Sequence, residues 1–444
     1  MKFLKIKVSS SEIHQNFDAN GRLESLSLTK SIIWFLLILI SLNSAFLFIS
    51  PNILIDCKNQ IKFELRLSPQ TYDLFRSFQN FGSLLGSIIF ILVIEKVNHK
   101  KIIFSFLLIN CICHFAFYLK LSFIVLLLSR FISGLVTMFC MTYFPFWVDK
   151  FGINNYIMFM QALIQISKIL GNFIGHTIFI FLGSRKWNKC FLIESILVTI
   201  TTFLMYLIPN SYYDKRYIDM ERENKININI EKVEKESILK DIFLNIPLIL
   251  LSLYQSSTIF INRVLQHYFY ARLETIIYSD EKYFLFYSFL STMIFPSIIG
   301  IIFGILFFYL KGGQNKQSFM HIFYFQFIAC FFGFLSNKIN SIHFYFIMLY
   351  LFNFFTYASI IISIIAAFAI MPKTFKGIGC GFISIIINLL SIVPSFQGYI
   401  LINNYVGNSG VINALMLSGM IGCIEILIGE FYMRFNKVRL YKNF

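Results

Sequence analysis

The sequence contains few charged residues for its length. Only 14% of its 444 residues are Asp, Glu, Lys or Arg, whereas 57% are hydrophobic. A globular domain carries roughly 25% charged residues, because its surface must contact water. The mean hydropathy of +0.71 agrees with this imbalance. The scarcity of charge therefore excludes a soluble globular domain and indicates a surface that faces lipid.

Motifs that carry enzymatic or metal chemistry are also missing. The eight cysteines include no C-x-x-C pair, which argues against a zinc site or a redox motif. No H-E-x-x-H, H-x-x-x-x-D or G-x-S-x-G occurs, and the seven histidines are dispersed, so a membrane-embedded enzyme is disfavoured. We expect no catalytic residue, no metal and no cofactor. Cys57 and Cys190 fall in loops on one predicted face, where two free thiols are favoured over a disulfide.

The net charge of +16 does not indicate nucleic-acid binding. The basic residues lie in short segments between apolar runs, not in an aromatic-interleaved soluble patch. With the N-terminus placed in the cytoplasm, most Lys and Arg residues fall in segments on that side, as the positive-inside rule requires. We therefore expect both termini in the cytoplasm, a lipid bilayer as surroundings and no nucleic-acid partner. A filter loop or a repeated charged ring is missing as well, which disfavours a channel.

Long apolar runs predict the fold. A helix needs roughly 20 apolar residues to cross the hydrocarbon core, and on this measure the sequence predicts an all-α integral membrane protein with twelve transmembrane helices. The predicted parts are a cytoplasmic segment 1–30, a six-helix half 31–208, a charged cytoplasmic linker 209–241, a six-helix half 242–434 and a cytoplasmic tail 435–444. We expect the chain to be a monomer.

Two glycine pairs indicate that the halves are repeats of each other. Gly82-x-x-x-Gly86 lies in the second predicted helix, and Gly300-x-x-x-Gly304 lies in the eighth. Each pair is followed by a basic turn, so the two occupy equivalent positions. Two parallel six-helix repeats are the layout of one class of transporter.

Two cations are predicted at mid-membrane depth. Arg130 and Lys168 each lie about ten residues into a predicted helix, which corresponds to a rise of ~15 Å. A charge there costs roughly 2.5–3.5 kcal/mol on insertion scales, so binding is favoured over packing as its role. For the uncharged polar residues, helix-to-helix hydrogen bonding is the main alternative to ligand contact. The predicted substrate-binding residues are Arg130, Lys168, Gln165, Asn172, Arg76, Asn80, Asn43, Gln255, Asn262 and Asn388.

The predicted cavity is positively charged. Asp73 is the one acid expected to oppose the cations, near the outer rim, while Glu425 is interpreted as an interhelical partner. The roles of His114 and His176 stay open, and Asn353 adds an amide to the tenth helix. A cationic pocket with apolar and aromatic walls suits an anionic or zwitterionic solute with a hydrophobic body.

The turn after the second helix carries a resemblance to a known family. The stretch Ile91-Leu-Val-Ile-Glu95-Lys96-Val-Asn98-His99-Lys100-Lys101 resembles the G-x-L-A-D-R-x-G-R-K signature of the major facilitator superfamily, with Glu95 in place of the Asp and His99 in place of an Arg. The resemblance implies a salt-bridge gate at the cytoplasmic face, with Glu95, Lys96 and Lys100 among its residues.

Further stretches are similar to motifs of the same superfamily. Arg130-x-x-x-Gly134 resembles its fourth-helix motif, and Gly171-x-x-x-Gly175 resembles its fifth-helix glycine pattern. The stretches from Tyr143 to Gly152, which include Asp149, and from Asn388 to Gly398 look most like the spinster-like branch. These resemblances imply gating roles for Gly134, Gly171, Gly175 and Asp149, and a lysolipid, sphingoid phosphate or other amphipathic anion as cargo.

One departure from that branch affects the expected coupling. Spinster-like proteins usually carry an acidic residue in the first helix, whereas this chain offers Asn43, Ser44 and Asn52 there. Proton coupling through an acidic residue of the first helix is therefore unsupported, and facilitated diffusion becomes an alternative, while protons stay a candidate coupling ion. We expect a solute carrier in the plasma membrane or an endolysosomal or vacuolar membrane. The alternatives are a facilitative carrier for a sugar, amino acid or organic anion, and a scaffold or sensor that binds without transporting.

Overall fold

The computed structural model describes nine stretches of the chain, namely residues 19–153, 156–183, 186–214, 245–276, 287–310, 318–338, 341–371, 376–389 and 408–435. Within these stretches every regular element is a helix. Seven of the described helices are long and apolar enough to cross a membrane. The prediction of an all-α membrane fold agrees with this arrangement, while the side on which the termini lie stays a prediction.

The first half of the chain forms eight helices. The first apolar run is divided between α1 and α2, and α3 follows as a short helix before the second run. Their bounds are α1 (Ala19–Phe46), α2 (Ile49–Asp56), α3 (Lys58–Glu64), α4 (Pro69–Val93), α5 (His99–Tyr118), α6 (Phe123–Phe151), α7 (Ile157–Leu182) and α8 (Trp187–Leu207), followed by a single 3₁₀ turn at Asn210–Tyr212.

The second half contributes six described helices, and the predicted linker lies outside the described residues from 215 onward. Their bounds are α9 (Ile246–Ile276), α10 (Tyr287–Leu310), α11 (Ser318–Lys338), α12 (Ile342–Ile370), α13 (Lys376–Leu389) and α14 (Asn408–Phe435). Residues 290–294 of α10 form a π-helical turn. Each half has its own core of buried apolar side chains.

Local sequence explains where two of the helices begin. Ser68 precedes α4, and its hydroxyl accepts a hydrogen bond from the backbone N–H of Thr71 at 3.1 Å. Pro69 occupies the first turn, where its missing N–H costs nothing. Asn98 caps α5 in the same way, accepting from the N–H of Lys101 at 3.2 Å. These caps satisfy donors that a helix start leaves unpaired.

Glycines bring the helices of each half into backbone contact. A Cβ on Gly82 would lie 1.9 Å from the carbonyl oxygen of Phe131, so α4 and α6 touch without an intervening side chain. A Cβ on Gly300 would lie 2.2 Å from the carbonyl oxygen of Phe354, which is the same contact between α10 and α12. Small residues at such crossings are how membrane helices pack closely. The two glycine pairs therefore make the same kind of backbone contact in each half, as expected of repeats.

A polar cluster joins three loops at the predicted outer end of the first half. Glu64 accepts hydrogen bonds from Lys120 at 2.5 Å and from the indole of Trp187 at 3.0 Å. Gln60 donates to the same carboxylate at 2.7 Å. Partial burial raises the pKa of Glu64, but these hydrogen bonds outweigh it, so its pKa lies below the usual value. None of the eight cysteines, Cys57 and Cys190 included, forms a disulfide bond in the structure.

The segment after α8 is fastened to the opposite, predicted cytoplasmic end. Trp147 donates its indole N–H to the carbonyl of Tyr212 at 2.8 Å, and the hydroxyl of Tyr143 donates to the carbonyl of Tyr213 at 3.2 Å. The buried ring of His99 lies 3.1 Å from the same Tyr213 carbonyl. The start of the predicted linker is therefore held against the ends of α5 and α6.

We expect Gly82→Ala to weaken the first half. The added methyl group would collide with the carbonyl of Phe131, and separating α4 from α6 should lower the free energy of unfolding by about 1–3 kcal/mol. The measurement is the melting temperature of the purified protein in detergent. Leu92→Ala, on the lipid-facing side of the same helix, is the control, and an equal loss in both variants would contradict the interpretation.

Candidate functional site

A small pocket lies between the two halves. It is lined by residues of α7 in the first half and of α10 and α12 in the second, namely Ile169, Asn172, Met293, Ile294, Ser297, Asn353 and Tyr357. It has room for about one water molecule. Binding sites of transporters with two repeats lie near the bilayer midplane between those repeats, and this pocket has that position.

Lys168 sits beside the pocket on α7. It directly precedes Ile169, and it is the twelfth residue of a helix that spans 26 residues, which puts it near the middle of the bilayer. Its ammonium group donates to the side-chain oxygen of Gln165 at 3.1 Å. No carboxylate pairs with Lys168 in the part of the chain that the structure describes. Among the described residues, the ammonium group of Lys168 beside the pocket therefore has no acidic partner.

The opposite wall of the pocket is a kink in α10. Pro296 has no N–H, so the carbonyl of Thr292, four residues earlier, lacks its helical donor. The chain forms the π turn Leu290–Ile294 at this point, and the side-chain amide of Asn353 donates to the Thr292 carbonyl at 2.8 Å. Thus α12 replaces the hydrogen bond that α10 has lost. Met293 and Ile294 of the π turn line the pocket.

Arg130 lies apart from this pocket, inside the first half. Its guanidinium is 1% exposed and interacts electrostatically with His114 of α5 and Glu194 of α8. His114 Nδ1 lies 3.5 Å from Glu194 Oε1, and His114 Nε2 lies 3.3 Å from the hydroxyl of Ser133. The sequence predicted a positively charged cavity with Asp73 as the one opposing acid. The structure instead places the carboxylate of Glu194 where it opposes Arg130.

Three polar contacts close the predicted cytoplasmic end between the halves. Lys376 of α13 forms an ion pair with Asp149 of α6 at 2.6 Å. Thr142 donates to Ser384 at 2.9 Å. Asn388 donates to the hydroxyl of Ser87 at 3.1 Å. In this conformation α13 lies against α4 and α6.

The structure distributes the predicted substrate-binding residues over several places. Lys168, Gln165 and Asn172 lie together at or beside the pocket. Asn43 is buried within the first half and accepts from Thr201, and Gln255 donates to Ser363 within the second. Asn388 belongs to the inter-half closure, and Asn80 is half-buried on α4. The side chains of Arg76 and Asn262 lie outside the described residues.

The predicted gating residues are also divided. Asp149 contacts the other half through Lys376. Lys100 instead donates to the carbonyl of Ile208 at 2.7 Å, within its own half. Lys96 is exposed and Glu95 is half-buried in the turn after α4. Gly134, Gly171 and Gly175 all lie where helices of the first half touch, against Gln79, Ala45 and Ile49 respectively.

Several residues of these sites were not among the predicted ones, Glu194, Ser297, Tyr357 and Lys376 among them. Glu194 could have been found, because it is a lone carboxylate inside an apolar helix. Ser297 and Tyr357 carry no sequence signal, since hydroxyl groups are common in membrane helices. Lys376 lies in a short basic segment, so its sequence gives no sign of the pairing with Asp149.

Two packed helical halves with a mid-membrane pocket between them define a polytopic membrane carrier. The sequence pattern of the Major Facilitator Superfamily matches residues 26–395. The chain belongs to this superfamily and is a multi-pass membrane transporter. The predicted fold class is thereby confirmed.

A solved structure supports the fold independently. The chain is similar to the proton:xylose symporter XylE of the same superfamily, in a structure with bound 6-bromo-6-deoxy-D-glucose. The TM-score is 0.69 at 12% sequence identity, and the match covers 91% of this chain and 96% of that one. Identity this low supports the fold alone. No curated protein matches the sequence.

We expect loss of the Asp149–Lys376 pair to open the predicted cytoplasmic end. A charged hydrogen bond contributes about 1.5–3 kcal/mol, so Lys376→Ala should speed maleimide labelling of a Ser384→Cys reporter by roughly tenfold or more. The rate is measured from the predicted cytoplasmic side of oriented vesicles. The double variant Asp149→Lys with Lys376→Asp should restore slow labelling. Unchanged labelling in Lys376→Ala would show that the pair does not hold this end closed.

Proposed function

We propose that the protein carries a small amphipathic organic anion by alternating access. The observation that carries the proposal is Lys168, which directly precedes the pocket residue Ile169 on α7 and has no acidic partner among the described residues. A cation in this position stabilises an anionic group of a bound solute. Ile169, Met293 and Ile294 offer apolar walls for the rest of the molecule.

The interaction of Arg130 with Glu194 inside the first half distinguishes the roles of the two predicted cations, Arg130 and Lys168. Arg130 interacts with Glu194 and is 1% exposed, so Lys168 is the better candidate for direct contact with the solute. Arg130 is the better candidate for a role in coupling. This division replaces the single cationic cavity expected from the sequence.

The resemblance to the spinster-like branch favours a lysolipid or another amphipathic phosphate, and it favours the plasma membrane or an endolysosomal or vacuolar membrane. A facilitative carrier for a polar metabolite is the second candidate, because the pocket also presents Asn172, Ser297 and Tyr357. The fold is shared with a symporter described as carrying xylose. A scaffold or sensor would bind the same ligands without flux.

We expect Lys168→Met to weaken anion binding selectively. Lysophosphatidate and the uncharged monoacylglycerol of the same chain length form one probe pair, and gluconate and glucose form another. Loss of a charged hydrogen bond should lower affinity for the anionic member by roughly tenfold to a hundredfold, and leave the neutral member unchanged. Binding is measured by calorimetry with the full chain in nanodiscs.

Lys168→Arg is the matched control, because it keeps the positive charge. It should retain most of the preference for the anionic probe. Equal binding of charged and neutral probes by the wild type would overturn the proposal, as would an unchanged preference in Lys168→Met. Uptake of the bound probe into proteoliposomes separates a carrier from a scaffold.

We also propose that the pairing of Arg130, Glu194 and His114 is the proton-coupling site. Glu194 provides the carboxylate that the first helix lacks, and α2 supports it through Ser50, which faces the carboxylate. His114 and Cys111 of α5 and Arg130 of α6 are the titratable or charged groups described around Glu194. A carboxylate and a cation inside a bundle are typical of proton relays.

We expect Glu194→Gln to abolish the response of transport to a pH gradient. The amide cannot exchange a proton, so flux of the probe anion should no longer be accelerated by an imposed gradient, while exchange at equal pH should persist. Glu430→Gln is the matched control, because it changes a buried carboxylate of α14 that pairs with Arg434. A gradient response that survives in Glu194→Gln would show that protons are not coupled there.

A further inference from the structure

The pocket beside Lys168 is lined by neutral polar groups. Asn172, Ser297, Asn353 and Tyr357 supply amides and hydroxyls, and the other lining residues are apolar. A charged group would find no partner of opposite sign among these side chains. The pocket therefore suits a neutral hydrogen-bonding group, whereas Lys168 suits an anion.

Asn353 leaves one hydrogen-bond acceptor for a ligand. Its amide nitrogen donates to the carbonyls of Thr292 at 2.8 Å and of Leu349 at 3.1 Å. Carbonyl oxygens only accept, so these two bonds fix the amide with its oxygen on the other side. The residue is 2% exposed and lines the pocket, and no hydrogen bond to its oxygen occurs within the described residues. A buried acceptor of this kind is stabilised by a donor from a bound molecule.

Hydroxyl groups stand close to this acceptor. Ser297 lies one residue after Pro296 and donates to the carbonyl of Met293. The hydroxyl of Tyr357, one turn from Asn353 on α12, lies near that of Ser297. The pocket can thus accept a hydrogen bond at Asn353 and exchange further ones at Ser297 and Tyr357. A hydroxyl both donates and accepts, and it has about the size of the single water that the pocket can hold.

We propose that this pocket is a hydroxyl-binding subsite, so that the cargo is a hydroxylated organic anion. The proposal rests on the function proposed above, because Lys168 binds the anionic end. Asn172 follows Lys168 by four residues on α7, which is a rise of ~6 Å. The hydroxyl of the solute therefore lies about one helical turn from its charge. Lysophosphates of glycerol and sugar acids have this arrangement.

The test compares probes that differ by one hydroxyl. Dodecanoyl lysophosphatidate carries a free hydroxyl near its phosphate, and its deoxy analogue lacks only that group; gluconate and hexanoate form a smaller pair. The wild-type chain in nanodiscs should bind the hydroxylated member of at least one pair about tenfold more tightly. Tyr357→Phe and Ser297→Ala should each reduce this preference to about twofold or less, with unchanged affinity for the deoxy probe.

Ser336→Ala is the matched control, because it removes a buried hydroxyl of α11 whose one bond within the described residues is to the carbonyl of Gly333. It should keep the full preference. Equal affinity for both members of each pair, or a preference that both pocket variants retain, would overturn the subsite. If Lys168→Met still weakens both members of a pair, the proposed function stands while the subsite fails. If no probe binds, both are overturned.

Discussion

Direct contact between backbones at glycines is the constraint on which this structure depends. At Gly82 and Gly300 a carbonyl of the neighbouring helix occupies the space where a side chain would be. Because such a contact involves no side chain, it cannot adjust by a change of rotamer. The helices joined in this way therefore keep a fixed position relative to each other. The halves instead meet through side chains, among them the ion pair of Asp149 with Lys376. Side-chain contacts can form and break while the glycine contacts persist, which is the mechanical requirement of rocking-type alternating access.

The charged residues are divided in the same way between the interior of the first half and the region where the two halves meet. Arg130, Glu194 and His114 belong to different helices of one half, and the carboxylate of Glu194 opposes the charge of Arg130 there. Moving the halves apart would leave that pairing intact, so proton exchange at Glu194 needs a path within the half. Lys168 is different, because it directly precedes Ile169, which lines the pocket between the two halves.

Sequence patterns predicted the fold well and the site in part. Apolar run length and the placement of basic residues predict the helices, because the bilayer imposes both. Lys168, Gln165 and Asn172 could be predicted together, since helical periodicity puts them on one face. The link between Asn353 and Pro296 could not, because it joins residues of two helices whose approach is set by glycine packing. The partner of Asp149 was out of reach for the same reason, since Lys376 lies 227 residues away in the chain.

The hydrogen bonds of the segment after α8 determine which sequence changes this segment can tolerate. Tyr212 is held through its backbone carbonyl by Trp147, and the carbonyl of Tyr213 is held by Tyr143. A bond to a carbonyl is indifferent to the side chain that the residue bears, so position 212 can accept many replacements. The bond does depend on the position of the carbonyl group along the chain. An insertion or deletion of one residue between Leu207 and Asp214 would misplace both carbonyls at once. These hydrogen bonds therefore depend on the length of the segment and not on the identity of residue 212.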